Sequence, residues 1–317
     1  MNLQQFRFVQ EAARRELNLT ETAKALHTSQ PAISKAILEL EEELGVDIYA
    51  RHGKRLRRVT EPGLQVLKSV DIILREVANL KRIGEQFSKQ DAGTLTIAAT
   101  HTQARYFLPA PIAQLRRTWP KVQLVLHQGM PQQVARMLLD DVADVGLATE
   151  GLALQEGLIT LPCHEWQHVM LVPPEHALAQ VQRPTLQDLA ACPLLTYQAA
   201  TTGRSRIDQA FERAGLKPKL ALQAADSDVV MTYVRDGLGV GIVSELAMRA
   251  AADSGLACQP LGHLFGSNTT RVAFKRGAYL RHFVLAFVEL LSPQLNAVLV
   301  RRVLAGGSHP NNNDHSL

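Results

Sequence analysis

Three groups of residues in this chain have the types and spacing to do chemistry. The first is His164-Glu165-Trp166-Gln167-His168, which spells the HExxH of zinc hydrolases. In those enzymes both histidines share one helical face and the glutamate serves as base. The surroundings here are wrong for that use: Pro162 precedes the motif and Val169-Met170-Leu171-Val172 follows it, so the segment reads as a strand entered from a loop. Residues four apart on a strand lie about 13 Å from each other, too far for one tetrahedral zinc. Gly237-Leu238-Gly239-Val240-Gly241 lacks the strand-before, helix-after setting of a dinucleotide site and reads as turn glycines leading into a strand. With no nucleophile elbow and no lysine-bearing phosphate loop either, neither an enzyme nor a cofactor or metal is expected.

The second group is a set of neutral donors at predicted strand ends and helix starts: Thr100-His101-Thr102-Gln103, Thr149, and Thr201-Thr202-Gly203. Free backbone N–H groups together with threonine hydroxyls suit a small anion or carboxylate. The same residue types also cap helices, which is their simpler use, and the residues alone leave both possibilities open.

The third group begins at Thr28-Ser29-Gln30-Pro31. Ser29 can cap a helix, Pro31 suits its first turn, Ile33, Ile37, Leu40 and Leu44 form one stripe, and Gly45 stops it. Gln30, Ser34 and Lys35 are left on the polar face and first turn. A glutamine amide donates and accepts together and matches the major-groove edge of adenine, so Gln30 is the candidate base reader, with Ser29, Ser34 and Lys35 holding phosphates. Directly after come Arg51, Lys54, Arg55, Arg57 and Arg58 around Gly53, the pattern of a basic hairpin whose cations neutralise the DNA backbone.

These groups need elements to position them. Residues 3–16 place Leu3, Phe6, Val9 and Ala13 at helical spacing, and 20–26 is a second short helix-forming run, so residues 1–59 are predicted to be an all-α winged helix-turn-helix. A long linker helix is predicted within 60–92, where Val66, Ile73, Leu80 and Phe87 recur every seven residues with Val70 and Val77 between them. That is a coiled-coil seam, and it predicts dimerisation. From 93 to 305, strand-like runs at 94–100, 122–127, 145–149, 169–172, 194–197 and 240–244 alternate with helical runs near 112–117, 131–140, 205–214, 227–236 and 280–291. The alternation predicts an α/β domain with a mostly parallel sheet in one or two lobes, and residues 306–317 form a polar tail expected to be disordered.

Composition fits this division. The 317 residues are 46% hydrophobic, enough for two cores, and the net charge of +4 is compatible with nucleic acid. Cys163, Cys192 and Cys258 are odd in number and lack CxxC spacing, which argues for reduced thiols. No signal-peptide core and no spanning apolar run occur, so a cytoplasmic protein without membrane contact is expected.

Residues 1–90, with Ala23-Lys24-Ala25-Leu26, Ser29-Gln30-Pro31-Ala32-Ile33-Ser34 and Leu40-Glu41-Glu42-Glu43-Leu44-Gly45, resemble the LysR-type transcriptional regulators. Thr100 to Tyr106, His127-Gln128-Gly129, Ala148-Thr149-Glu150, Leu161-Pro162-Cys163 and Thr202-Gly203-Arg204-Ser205 resemble the CysB-like, sulfur-assimilation branch of that family. The resemblance implies a periplasmic-binding-protein-like effector domain, with lobe I at about 93–162 and 268–305 and lobe II at about 163–267. It further implies a homodimer or homotetramer on promoter DNA, contact with RNA polymerase, and activation of cysteine-biosynthesis genes in response to acetylserine, sulfate or thiosulfate. The family's pocket falls on Thr100, Thr102, Gln103, Thr149 and Thr202, with Trp166 as a wall. Tyr197-Gln198-Ala199-Ala200-Thr201 departs from that branch, which leaves regulation of sulfonate or sulfate-ester use as the alternative.

Overall fold

The computed structural model describes residues 1–53, 55–88, 91–149, 151–199, 201 and 203–306. Lys54, Thr202 and the tail from 307 onward, all of which carried expectations, lie outside the described residues. The chain divides into two compact units, Met1–Gly84 and Glu85–Leu317.

In the first unit, α1 (Leu3–Arg14) starts from a reciprocal cap in which the Asn2 side chain accepts from Gln5 N and the Gln5 side chain from Asn2 N. α2 (Leu19–Ala25) is capped by Asn18. α3 (Gln30–Leu44) is capped by Ser29, whose Oγ accepts from Ala32 N at 3.3 Å, and ends at Gly45 with φ +68°. β1 (Tyr49–His52) and β2 (Arg55–Val59) pair antiparallel as the wing, and α4 (Glu61–Ser88) follows. Phe6, Val9, Ile33, Ile37, Leu40, Ile48, Tyr49 and Leu56 form the core. Leu44, predicted on the buried stripe, is exposed because it sits in the last turn, past the body of the core. Gly63 lets α4 lie against the wing, since a Cβ there would stand 2.0 Å from Ile48 O.

The predicted seam is divided between two uses. Val70 is buried in the core of the first unit and Val66 packs against it, whereas Ile73, Leu80 and Phe87 are 38%, 68% and 73% exposed. The amino-terminal part of the repeat therefore closes this chain's own domain, while Val77 is half-buried and Ile73, Leu80 and Phe87 stand open.

In the second unit, β3 (Gly93–Ala99) leads through a π-helical turn (Gln103–Phe107) into α5 (Pro109–Thr118), β4 (Val122–Gln128), α6 (Pro131–Leu139) and β5 (Val145–Ala148). β6 (Leu158–Val172) then runs on into a second layer: α7 (Leu186–Ala190), β7 (Pro193–Tyr197), α8 (Arg204–Arg213), β8 (Lys219–Ala224), α9 (Ser227–Arg235) and β9 (Val240–Ser244). After α10 (Met248–Asp253), β10 (Ala257–Pro260) and α11 (Gly262–Phe265), β11 (Ser267–Lys275) returns the chain to α12 (His282–Leu291) and α13 (Ala297–Leu304).

The strand order is β4-β3-β5-β11-β6-β9-β7-β8, with β10 beside β6. β3 pairs in parallel with β4 and β5, and β7 with β8 and β9. β11 is antiparallel to β5 and β6, and β6 is antiparallel to β9 and β10. The sheet is thus mixed rather than mostly parallel. The cause is that β6 and β11 are not followed by crossover helices; they carry the chain out of one lobe and back. Leu95, Ile97, Leu147, Val272, Phe274 and Phe287 fill one lobe's core. On β6, Val169 and Leu171 pack with Val230 and Val243, while Met170 and Val172 pack with Phe211 and Ile242 on the opposite face.

Candidate functional site

In the first unit, the start of α3 and the wing bound a cleft of about 450 Å³ lined by Asn18, Thr20, Gln30, Arg55 and Leu56. Leu56 is buried and anchors the wing, which turns Arg55, Arg57 and Arg58 outward. Ser29, Pro31 and Lys35 are exposed, with Lys35 3.7 Å from Glu39, while Thr28, Gln30 and Ser34 are half-buried. Arg51 departs from the expected phosphate-binding set. Its Nη2 donates to the buried Glu41 Oε2 at 2.8 Å, and Glu41 Oε1 accepts from Ile48 N at 2.9 Å and Tyr49 N at 3.0 Å. That guanidinium serves the joint between α3 and the wing.

In the second unit, Thr100 to Gln103 follow β3 and Thr149 follows β5, at the carboxyl ends of two paired parallel strands. β5 pairs with β11 through Ala148 and Arg271, which sets Thr149 beside the Asn268 to Arg271 stretch. β11 in turn pairs Asn268 with Trp166 and Thr270 with His164. Thr100, Thr102, Gln103 and Trp166 are all at least nine-tenths buried. Thr102 does not cap the π-helical turn that follows it. Its hydroxyl approaches that of Tyr197 yet makes no hydrogen bond of ordinary geometry. Both amide atoms of Gln103, the hydroxyls of Thr149 and Thr270, and the Trp166 indole nitrogen are likewise buried without a partner. Leaving one such group unsatisfied costs on the order of 1–3 kcal/mol, so these residues form the candidate binding site of the second unit.

Sequence reasoning missed Thr270 and Asn268, because β11 was not recognised as a strand. The alternation Asn268, Thr270, Val272, Phe274 is the signal that could have found it, and all four are buried. Gly203, with φ +73°, closes the loop after β7 over this strand; a Cβ there would meet Asn268 Oδ1 at 2.6 Å. Arg204 anchors the loop from beneath, donating to Tyr197 O, to Gln223 Oε1 at 3.0 Å and to Asp208 Oδ1 at 2.8 Å.

Two clefts flank the buried donors. One, of about 270 Å³, is lined by Thr100, His101, Gln128, Thr201 and Asp226; the other, of about 540 Å³, by Thr149, Ser205, Arg206, Asn268 and Arg271. Beside the smaller cleft, Asp228 at the start of α9 joins the two lobes. It lies 3.0 Å from His101 Nε2, accepts from Tyr106 Oη at 2.9 Å and pairs with Arg105 at 3.5 Å. Burial, and then the Asp228 hydrogen bond, push the Tyr106 phenol above its ordinary pKa. His101, Asp226 and Asp228 could together reach one cation, but Arg105 and Tyr106 already occupy Asp228.

The HExxH residues lie on β6, as the sequence context predicts. His164 stacks on Phe107 at 5.2 Å, and His168 is buried edge-on to Trp166 at 5.1 Å and to Phe265 at 5.6 Å. All three cysteines are free of disulfides, and burial pushes the Cys163 thiol up to about 12.

A capped helix pair with a basic wing, joined to a two-lobed domain with a ligand-sized interior, defines a DNA-binding regulator that senses a small molecule. The chain belongs to the LysR family: residues 3–64 match the bacterial regulatory helix-turn-helix proteins of that family and residues 88–296 match the LysR substrate binding domain. It is a transcriptional regulator and not an enzyme. It is 55% identical to the HTH-type transcriptional regulator CysB of Burkholderia cenocepacia over 96% of this chain and 98% of that one. With the regulator SsuR of the same organism it shares 46% identity over 96% of this chain and 99% of that one. The solved cofactor-binding domain of the Cbl transcriptional regulator, 43% identical, superposes with a TM-score of 0.65 over 67% of this chain and 93% of that domain.

Proposed function

We propose that this protein is an oligomeric cytoplasmic activator of sulfur-assimilation and cysteine-biosynthesis genes whose effector is a small sulfur-linked anion or acetylserine. The observation that carries the effector site is the set of buried, unpartnered donors at Thr102, Gln103, Thr149, Trp166 and Thr270. An indole N–H can only donate, and hydroxyls and the Gln103 amide can donate too, so the occupant is rich in acceptors. The 55% identity to CysB over nearly the whole chain supports the sulfur assignment. That no described helix is long and apolar enough to cross a membrane agrees with a cytoplasmic location.

In this reading, Gln30 reads a base edge, Thr28, Ser29, Pro31, Ser34 and Lys35 seat α3 on the groove, and Arg55, Arg57 and Lys54 meet phosphates. Thr100, Thr102, Gln103, Thr149 and Thr202 hold the effector, with Trp166 as its wall. Binding between the lobes favours the closed arrangement, and only a ligand with different affinity for the two arrangements can change how paired dimers bend promoter DNA and present it to RNA polymerase.

Calorimetric titration of the full-length chain with O-acetylserine, N-acetylserine, sulfate, thiosulfate and an alkanesulfonate tests the assignment. Binding of acetylserine or sulfate that is lost on Thr102→Ala is the expected result. Binding of the alkanesulfonate alone would move the assignment to sulfonate or sulfate-ester genes, and no binding would remove the site.

A further inference from the structure

By their described lining residues, the two clefts beside the buried donors differ in charge. Asp226 lines the smaller one, and Asp228 stands beside it. The larger holds two guanidinium groups, Arg206 and Arg271, and no carboxylate among its described lining residues. Arg271 is half-buried. It donates Nε to Thr160 Oγ1 at 3.0 Å and Nη2 to Thr160 O at 3.3 Å, both neutral acceptors. Among the described residues no acidic group lies within ion-pair distance of Arg206 or Arg271, and burial alone lowers the pKa of Arg271. A partly desolvated guanidinium with only neutral partners has lost water without gaining a counter-charge, a situation that a bound carboxylate relieves through a charge-assisted fork. The larger cleft shares Thr149 with the donor set, since Thr149 lines it and its hydroxyl is buried and unpartnered, and its buried Asn268 is the strand partner of Trp166.

We propose that the effector site has two subsites and takes a two-ended ligand, its acceptor-rich head on the neutral donors of Thr102, Gln103, Thr149 and Trp166 and a carboxylate on Arg206 and Arg271, while a single-headed anion occupies the first subsite alone. The proposal rests on the assignment of that donor cluster as the effector site. Size agrees, since about 540 Å³ exceeds what a lone tetrahedral anion fills and lies within the range of ligand pockets. Charge fixes the direction: an acidic tail is attracted at the arginine cleft and repelled by Asp226 at the other.

The test is a matched pair of probes titrated into the full-length chain: propane-1-sulfonate, with one charged end, and 3-sulfopropanoate, with two, with inorganic sulfate as reference. The expected result is 3-sulfopropanoate binding about tenfold tighter than propane-1-sulfonate, an advantage that Arg206→Ala shrinks and the double variant with Arg271→Gln removes. Sulfate binding should stay within about threefold in Arg206→Ala, because a single-headed ion seats at the cluster. Equal affinity for the two sulfonates, or an advantage that survives the double variant, overturns the proposal and leaves the cluster intact as an anion site. If sulfate, acetylserine and both sulfonates all fail to bind the unaltered protein, the cluster assignment falls and the two-ended ligand falls with it. Arg206 is exposed, so a normal circular dichroism spectrum is expected for Arg206→Ala and serves as the folding control.

Discussion

The Tyr106 hydroxyl donates to Asp228 Oδ1 at 2.9 Å, and through this bond the turn that follows β3 is tied to the first turn of α9 across the domain. His101 meets the other oxygen of the same carboxylate at 3.0 Å and reaches Gln128 Oε1 at 3.2 Å with its second ring nitrogen. One side chain of one lobe thus gathers three residues of the other, His101, Arg105 and Tyr106.

Because a hydrogen bond to a charged group contributes about 1.5–3 kcal/mol, the Asp228 junction is large enough to set the lobes' relative arrangement. Asp228→Asn is expected to weaken effector binding by roughly tenfold through lost preorganisation while leaving operator affinity of the effector-free protein unchanged. The Tyr106 phenol should titrate at lower pH in the variant, since the negative charge that opposes its ionisation is gone. Calorimetry and ultraviolet titration read the two effects, and an unchanged tyrosine titration would count against the junction.

Thr102→Ala has an unusual expected profile. Its hydroxyl is buried with no partner of ordinary geometry, so the gain from deleting an unsatisfied polar atom offsets the loss of the buried γ-methyl and should leave the melting temperature nearly unchanged. Sulfate or acetylserine binding should nonetheless fall by at least about tenfold, the loss of one hydrogen bond to a charged ligand. A variant that loses stability and binding together would show the hydroxyl to be structural.

How much of this was legible beforehand follows from the kind of signal each part carries. The cap at Ser29, the stop at Gly45 and the strand setting of His164 to His168 are local, and each is present as the sequence implies. The mixed sheet is not local. β11 carries Asn268 and Thr270 on the face where an apolar alternation would announce a strand, because that face lines the site. The residues that make the cavity polar are the ones that hid its wall. The role of Arg51 was hidden for the same reason: a cation in a basic run looks like its neighbours until Glu41, ten positions away, is found buried beneath it.

The open part of the α4 seam predicts assembly. Leu80 and Phe87, one heptad apart, are 68% and 73% exposed, and a partner helix is what such a spacing accepts. Leu80→Arg should shift the protein toward monomer in sedimentation equilibrium and reduce operator binding steeply. Val66→Ala, whose side chain packs within the first unit, should instead lower thermal stability without changing the oligomer. Reversal of the two outcomes would show that the repeat is not divided as described.

The wing arginines separate by what their charges face. Arg57 is exposed on β2, so Arg57→Ala should reduce the slope of log affinity against log salt by about 1 and weaken all sequences alike. Gln30→Ala should leave that slope intact and cost about 1–3 kcal/mol of discrimination at one position of each half-site. Arg51→Ala belongs to a third class. Glu41 is 5% exposed and keeps its two backbone donors when the guanidinium is removed, but its charge is then buried without a counter-ion. The expected cost is about 1–3 kcal/mol of stability, with a lowered melting temperature and a salt slope close to that of the unaltered protein. Restoring stability with Glu41→Gln in the Arg51→Ala background would assign the loss to the buried charge. A reduced salt slope with unchanged stability would return Arg51 to the phosphate-binding set.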